Sequence, residues 1–271
     1  MKKIKIGLIG YGAIGKVISK TIKTRFSDKA ILYAVSELNN KKIKEVKRNF
    51  KSNLKILDIN TLIKKSDLVV EAANPFIARE VVNKALSLGK DVMVLSSGGV
   101  IKDYIKFAHL AKKNRCRLYL VSGALSGIDA LKAASFGRIK KITLTSKKPV
   151  KALLDAPYIK EKGINLKDIR NEETIFEGSV KEAIKGFPKN INVSATVSLA
   201  TLMKEKIRVR ILASPLYKFN THELLVEGDF GKILSRVESK PSQDNPRTSQ
   251  IAILSALATL RDILGYIRVG T

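Results

Sequence analysis

Apolar positions alternate between two periods along the first 121 residues. Residues 3–9 read as a buried strand, and Ile14, Val17, Ile18, Thr21 and Ile22 then recur at helical spacing. A second strand is predicted at 30–35, followed by a Lys-rich helix with Ile43, Val46 and Phe50 on one side. Short strands follow at 54–57, 68–73, 91–95 and 117–121. Between them lie helices over 59–65 (Asp58 as cap), from Asn74 at the cap and Pro75 at the first position to Gly89, and over 101–114, with Ile101, Ile105, Ala108 and Ala111 facing inward. Strands alternating with helices predict a mostly parallel, doubly wound sheet covered on both faces.

Beyond residue 122 the pattern changes. A helix is expected at 126–136, a strand at 140–145, a polar irregular stretch at 150–171 and a small-residue apolar segment at 191–202 that suits a packed helix or a strand. Alternating runs at 206–213, 223–227 and 232–237 fit an antiparallel or mixed sheet. The composition of 241–246 reads as a linker, and 248–264 is apolar on most sides. The expected organisation is a Rossmann-like dinucleotide-binding domain over 1–122 with a C-terminal helix (246–271) packing back on it. An α+β catalytic, substrate and dimerisation domain is expected over 123–245.

The loop Gly10-Tyr11-Gly12-Ala13-Ile14-Gly15 joins the first strand to the first helix. The first glycine permits the tight turn, the second the close approach of a pyrophosphate, and the third close helix packing. Backbone N–H groups of Gly10, Gly12, Ala13, Ile14 and Gly15 then face the phosphates at the helix N-terminus. The cofactor expected is NAD or NADP. At the end of the second strand, Glu37 either suits a ribose 2′-hydroxyl or is a solvated loop carboxylate, whereas Ser36 leaves room for a 2′-phosphate with Lys41 or Lys42 nearby.

Lysine and arginine number 51 against 24 acidic residues, a formal charge of +27. The basic residues are dispersed and not interleaved with aromatics, so nucleic acid is not the expected partner. Lys5, Lys16 and the glycine loop interrupt the N-terminal apolar stretch and argue against a signal peptide, and no run approaches the roughly 20 residues needed to span a bilayer. With the single Cys116 excluding an internal disulfide, the expected location is cytoplasmic. One cysteine and two distant histidines supply no metal-ligand spacing. His109 falls on the lysine side of its helix, whereas His222 stands at the entry to a strand, where an imidazole suits proton transfer; a structural histidine is the alternative. Donors for substrate carboxylates are available on Asn192, Ser194 and Thr196, whose plainer reading is a packed helix.

Four segments together resemble the L-aspartate dehydrogenase family: residues 7–15, GLIGYGAIG; 122–129, SGALSGID, leading to Leu131-Lys132-Ala133-Ala134; 176–183, FEGSVKEA, with 187–196, FPKNINVSAT; and 220–223, NTHE, with 226–231, VEGDFG. Asn245-Pro246 and the helix carrying Ser255-Ala256 extend the resemblance over nearly the whole chain. It implies reversible NAD(P)-dependent oxidative deamination of a dicarboxylic amino acid, aspartate, to iminosuccinate and then oxaloacetate and ammonia, with a link to NAD biosynthesis and a homodimeric assembly. The residue matching His222 is then catalytic, and those matching Ala124 and Asn220 contact the cofactor near its nicotinamide. The family's acidic residue after the second strand reads Ser36 here, which leaves NAD and NADP both open. Its Arg-Lys-Pro reads Lys147-Lys148-Pro149, so a bidentate clamp at 147 is missing and Lys147 is read as structural or solvated. The alternatives are a two-domain reductase of the dihydrodipicolinate reductase or homoserine dehydrogenase type, and a non-catalytic dinucleotide- or nucleic-acid-binding protein.

Overall fold

A computed structural model describes residues 2–51, 54–188, 191–243, 245 and 248–270. The chain divides into two compact units, Met1–Val121 with Ile253–Arg268, and Ser122–Ala252 with Val269–Thr271.

The first unit is built on six parallel strands: β1 Ile4–Ile9, β2 Ala30–Ser36, β3 Lys55–Ile56, β4 Leu68–Glu71, β5 Asp91–Val94 and β6 Leu118–Leu120, in spatial order β3-β2-β1-β4-β5-β6. This order reverses between β1 and β4, and ligands in open α/β sheets bind at the carboxyl ends of strands beside such a reversal. Both faces are apolar because alternate residues point to opposite sides. Ile6, Leu8, Leu68, Val70 and Met93 enter one core, whereas Ile9, Val69, Val92 and Val94 enter the other. The first core packs Ile18 and Ile22 of α1 (Ala13–Thr24), Val46 of α2 (Asn40–Asn49), and Ala256, Leu260 and Leu264 of the last helix, α10 (Gln250–Leu264). The second holds α3 (Ile59–Lys65), α4 (Pro75–Ser87) and α5 (Tyr104–Lys113). Asp58 caps α3 by accepting from Thr61 N–H at 3.0 Å, and Asn74 caps α4 by accepting from Phe76 N–H at 3.0 Å with Pro75 in the first turn.

The phase of α5 differs from the expected one. The helix starts at Tyr104 and its inward anchor is Phe107, whereas Ile105 is 71% exposed and Ala108 lies outside. Ile101 is buried, but it precedes the helix after a short 3-10 turn at Ser97–Gly99 and so does not set its face. Burying the large Phe107 ring recovers more apolar surface than Ile105 and Ala108 at the positions around it. His109 is exposed.

The second unit carries a five-stranded mixed sheet ordered β11-β10-β7-β9-β8, with β7 Ile139–Pro149, β8 Glu173–Ser179, β9 Ile207–Ser214, β10 Asn220–Gly228 and β11 Gly231–Ser239. Only the β7–β9 pairing is parallel. One face of this sheet contributes Ile142, Leu144, Val209, Ile211, Leu224 and Val226 to a core shared with α6 (Ile128–Ala134), α8 (Val180–Gly186) and α9 (Ile191–Thr201). The segment 191–202 is thus helical up to Thr201, burying Val193, Ala195 and Val197 on several sides. The stretch expected to be irregular contains a 3-10 turn at Val150–Ala152 and α7 (Pro157–Glu161), whose Pro157 starts it as a first-turn proline. Tyr158, Phe176 and Phe187 meet with ring centroids 5.2–5.5 Å apart. Of the predicted linker 241–246, Asp244 and Pro246 lie outside the described residues, and Pro241 bridges to Ser249.

At the carboxyl end of β4 sits Glu71, fully buried. One carboxylate oxygen accepts from Ala73 N–H (2.9 Å), Asn74 N–H (3.0 Å) and the Ser96 hydroxyl (3.0 Å), and the other from Ser96 N–H (3.1 Å). Burial pushes this carboxyl up, against the downward pull of those donors. Removing the acceptor leaves three backbone N–H groups without a partner. Glu71→Ala is therefore expected to lower stability by about 3 kcal/mol in urea unfolding; a loss under about 1 kcal/mol would mean that water replaces the carboxylate.

Candidate active site

The glycine loop of the first unit has the form its residues predict. Gly10 adopts φ +93°, and a Cβ there would meet the Ala72 carbonyl oxygen at 2.7 Å. A Cβ on Gly15 would collide with the carbonyl oxygen of Gly10. Gly12 differs: its backbone is extended, and a Cβ there would meet nothing within 4 Å. Nothing in the chain itself requires a glycine at 12, which keeps open the space in front of the N-terminus of α1. That terminus has no side-chain cap, and Ala13 and Ile14 form its first turn. An open cradle, an uncapped helix start and partial positive charge from the N–H groups fit a dinucleotide's pyrophosphate.

Ser36 is the last residue of β2, buried, and its carbonyl accepts from Gly10 N–H at 2.9 Å. Glu37 follows directly and turns back onto the glycine loop. Its carboxylate accepts from the N–H groups of Tyr11, Leu38 and Asn39, each at 2.9 Å, with Lys42 Nζ at 3.5 Å. Burial raises this carboxyl, but the three N–H groups and Lys42 outweigh it and hold the group below the usual glutamate value. A fixed negative charge therefore stands where the second strand ends.

In the second unit the antiparallel register pairs His222 with Ser146 and places both on the face that carries Leu144 and Leu224. Ser146 Oγ lies 2.9 Å from His222 Nδ1. Lys148, two residues along β7 from Ser146, shares that face and is 9% exposed. Burial, and then the Lys148 charge, drive the His222 pKa down to about 3, so the imidazole is neutral. Lys147 points to the opposite face, where its ammonium lies 3.2 Å from Glu223 and 3.8 Å from Glu172. Lys147 is thus ion-paired on the face away from His222.

Lys148 also lines a pocket of about 400 Å³ within this unit, together with Lys151, Asp155, Lys218, Phe219 and Asn220. Asn220 Oδ1 is buried without a hydrogen-bond partner, an acceptor that a bound donor would satisfy. The segment 122–127 is tied to β11 by Ser235, whose hydroxyl donates to the Ser126 carbonyl at 2.9 Å. Within it Ala124 is nearly buried, beside Gly123 at φ +67° with open space over its Cα. Asn192 and Thr196 stand one turn apart on α9, and neither is among the described residues lining the pocket. The hydroxyls of Ser198 and Thr201 on that helix donate to carbonyls one turn earlier. Among the described residues no His/Cys/Asp/Glu cluster suits a metal ion, and no helix is long and apolar enough to cross a membrane.

Residues 10–121 match the NAD-binding domain of homoserine dehydrogenase, and residues 129–263 match the family described as aspartate dehydrogenase, C-terminal. L-aspartate dehydrogenase from Methanosarcina barkeri is 41% identical, covering 99% of this chain and 100% of the relative. The chain belongs to the L-aspartate dehydrogenase family. A Methanococcus maripaludis L-aspartate dehydrogenase is 39% identical over the same shares. The crystal structure of aspartate dehydrogenase from Thermotoga maritima superposes with a TM-score of 0.76 at 25% identity, covering 99% of this chain and 100% of that one. Among the residues grouped around His222 in this member of the family, Ser146 is legible in the sequence only once the register of two strands far apart in the chain is known, and Lys148 only as the neighbour of Lys147.

A neutral, buried imidazole makes a direct prediction. An imidazole that ionises near 6.5 when unfolded and near 3 when folded loses stability for the native state as pH falls from 6.5 toward 3. NMR titration is expected to find His222 neutral from pH 8 down to 4.5, with Lys148→Met raising its midpoint because one of the two causes of depression is removed. A midpoint near 6.5 in the parent would overturn the buried assignment.

Proposed function

We propose that this chain catalyses the reversible oxidative deamination of L-aspartate, giving iminosuccinate and then oxaloacetate and ammonia, with NAD preferred over NADP. The observation that carries the reading is the neutral His222, held by Ser146 and acted on by Lys148, which lines a pocket in the unit that matches the aspartate dehydrogenase C-terminal family. When bound, the nicotinamide supplies the hydride acceptor. Oxidation at Cα needs the amino group unprotonated, and His222 is the group that takes its proton. In the tautomer whose Nδ1–H donates to Ser146 Oγ, Nε2 is the acceptor, and once its proton has passed to solvent the same nitrogen serves water attack on the imine carbon. Asn220 Oδ1 would accept from the carboxamide of the ring, and Ala124, with only a methyl group, would leave room beside it. Gly10, Gly12, Ala13, Ile14 and Gly15 carry the pyrophosphate.

Coenzyme preference rests on Glu37. A carboxylate already bonded to three N–H groups stays charged, accepts from a ribose hydroxyl and repels a 2′-phosphate. Ser36 acts through its backbone at Gly10 rather than through its hydroxyl. We further propose the homodimer implied by the family resemblance; β11 is an edge strand with Leu234 exposed, and sedimentation at micromolar concentration tests for the doubled mass.

The decisive assay is oxidation of NADH or NADPH with oxaloacetate and ammonia. The expected result is an ammonia-dependent rate, faster with NADH and reduced about 100-fold or more in His222→Ala. No ammonia-dependent rate with either coenzyme would overturn the aspartate assignment, and an undiminished variant would remove His222 from the chemistry. Glu37→Ser is expected to shift the NADPH-to-NADH ratio of kcat/KM upward on the order of tenfold, a change of about 1.4 kcal/mol; an unchanged ratio would place selection elsewhere.

A further inference from the structure

We propose that Lys148 is a substrate-binding residue whose ammonium group anchors one carboxylate of the amino dicarboxylate in the pocket shared with Lys151, Lys218 and Asp155. The inference rests on the reading of the substrate as aspartate-like, and it assigns a residue to a recognition task that Asn192 and Thr196 are not placed to perform from this pocket.

Four observations carry it. Lys148 is 9% exposed, so its charge has been taken out of water at a cost that a surface lysine does not bear. It is common to the pocket and to the surroundings of His222, whose basicity it lowers. Three lysines and one aspartate are among the residues lining this space of about 400 Å³, a charge balance that complements a molecule with two carboxylates and one ammonium. Phe187 and Phe219 contribute apolar wall, which strengthens an ion pair by excluding water. Lysine rather than arginine fits this place because an ammonium is a compact point charge that does not demand a planar, bidentate partner.

The placement also couples binding to chemistry. A carboxylate on Lys148 offsets the cation that depresses the imidazole, so an anionic substrate makes His222 more basic as it arrives. A neutral analogue does not.

Succinate serves as the probe because it carries both carboxylates and cannot be oxidised at an amine. Calorimetric titration of the whole protein with succinate is expected to show binding that weakens on the order of 30-fold or more in Lys148→Met. Lys148→Arg is expected to recover part of the loss, and fluorescence titration with NADH is expected to be unchanged in both variants. Should Lys148→Met fail to fold, comparison of succinate with uncharged succinamide on the parent protein decides the matter: a carboxylate anchor requires at least the same 30-fold preference for succinate. Equal succinate affinity in parent and folded Lys148→Met, or equal affinity of the parent for succinate and succinamide, would overturn the proposal. Lys148-dependent succinate binding in a protein without ammonia-dependent turnover would uphold the anchor while the aspartate reading fails.

Discussion

The antiparallel register between β7 and β10 is the constraint on which the second unit's chemistry depends. Side chains along a strand alternate with a period of two, so one pairing decides which residues share a face. With His222 opposite Ser146, the helix-covered face receives Ser146, Lys148 and His222, continuous with Leu144 and Leu224. The other face receives Lys147, Glu223 and Arg236, which form ion pairs of 3.2 to 3.5 Å. A slip of one residue would exchange the two sets, putting paired surface charges into the core and the imidazole outside.

In the first unit the corresponding constraint is backbone hydrogen bonding at the carboxyl ends of the strands. Loops there expose N–H groups that the sheet no longer satisfies, and two glutamates answer them. Glu37 collects those of Tyr11, Leu38 and Asn39, while Glu71 collects those of Ala73, Asn74 and Ser96. Both carboxylates hold the loops around the glycine turn, yet their environments differ. Glu71 is sealed off and burial dominates its ionisation, whereas Glu37 stays partly open and keeps its charge below the usual range. Only the second is available to a ligand.

The large positive charge takes on a narrower meaning in this light. Most lysines lie on the surface, where ion pairs such as Lys140 with Asp229 at 2.9 Å are screened and contribute little. Lys148 differs in being buried, so that low dielectric lets its charge act on His222. Net charge is thus a poor guide to the chemistry, and burial of a single cation a good one.

The sequence alone determined the doubly wound first unit, because continuous apolar strands, helical spacing, Asp58 and Asn74 caps and a glycine loop are all local signals. It also singled out His222 and, through motifs spread along the chain, the family. Tertiary structure decided what depends on partners distant in sequence. The phase of α5 follows from Phe107 finding a core, which no local spacing announces. The environment of Glu37 turned on where β2 stops relative to the N–H of Tyr11, 26 positions earlier. Lys147 and Lys148 are identical residues in adjacent positions, and only the pairing of β7 with β10, 76 residues away, sends one to Glu223 and the other to His222. Strand pairing is a long-range interaction, and the side chains it brings together carry no mark of it in the chain.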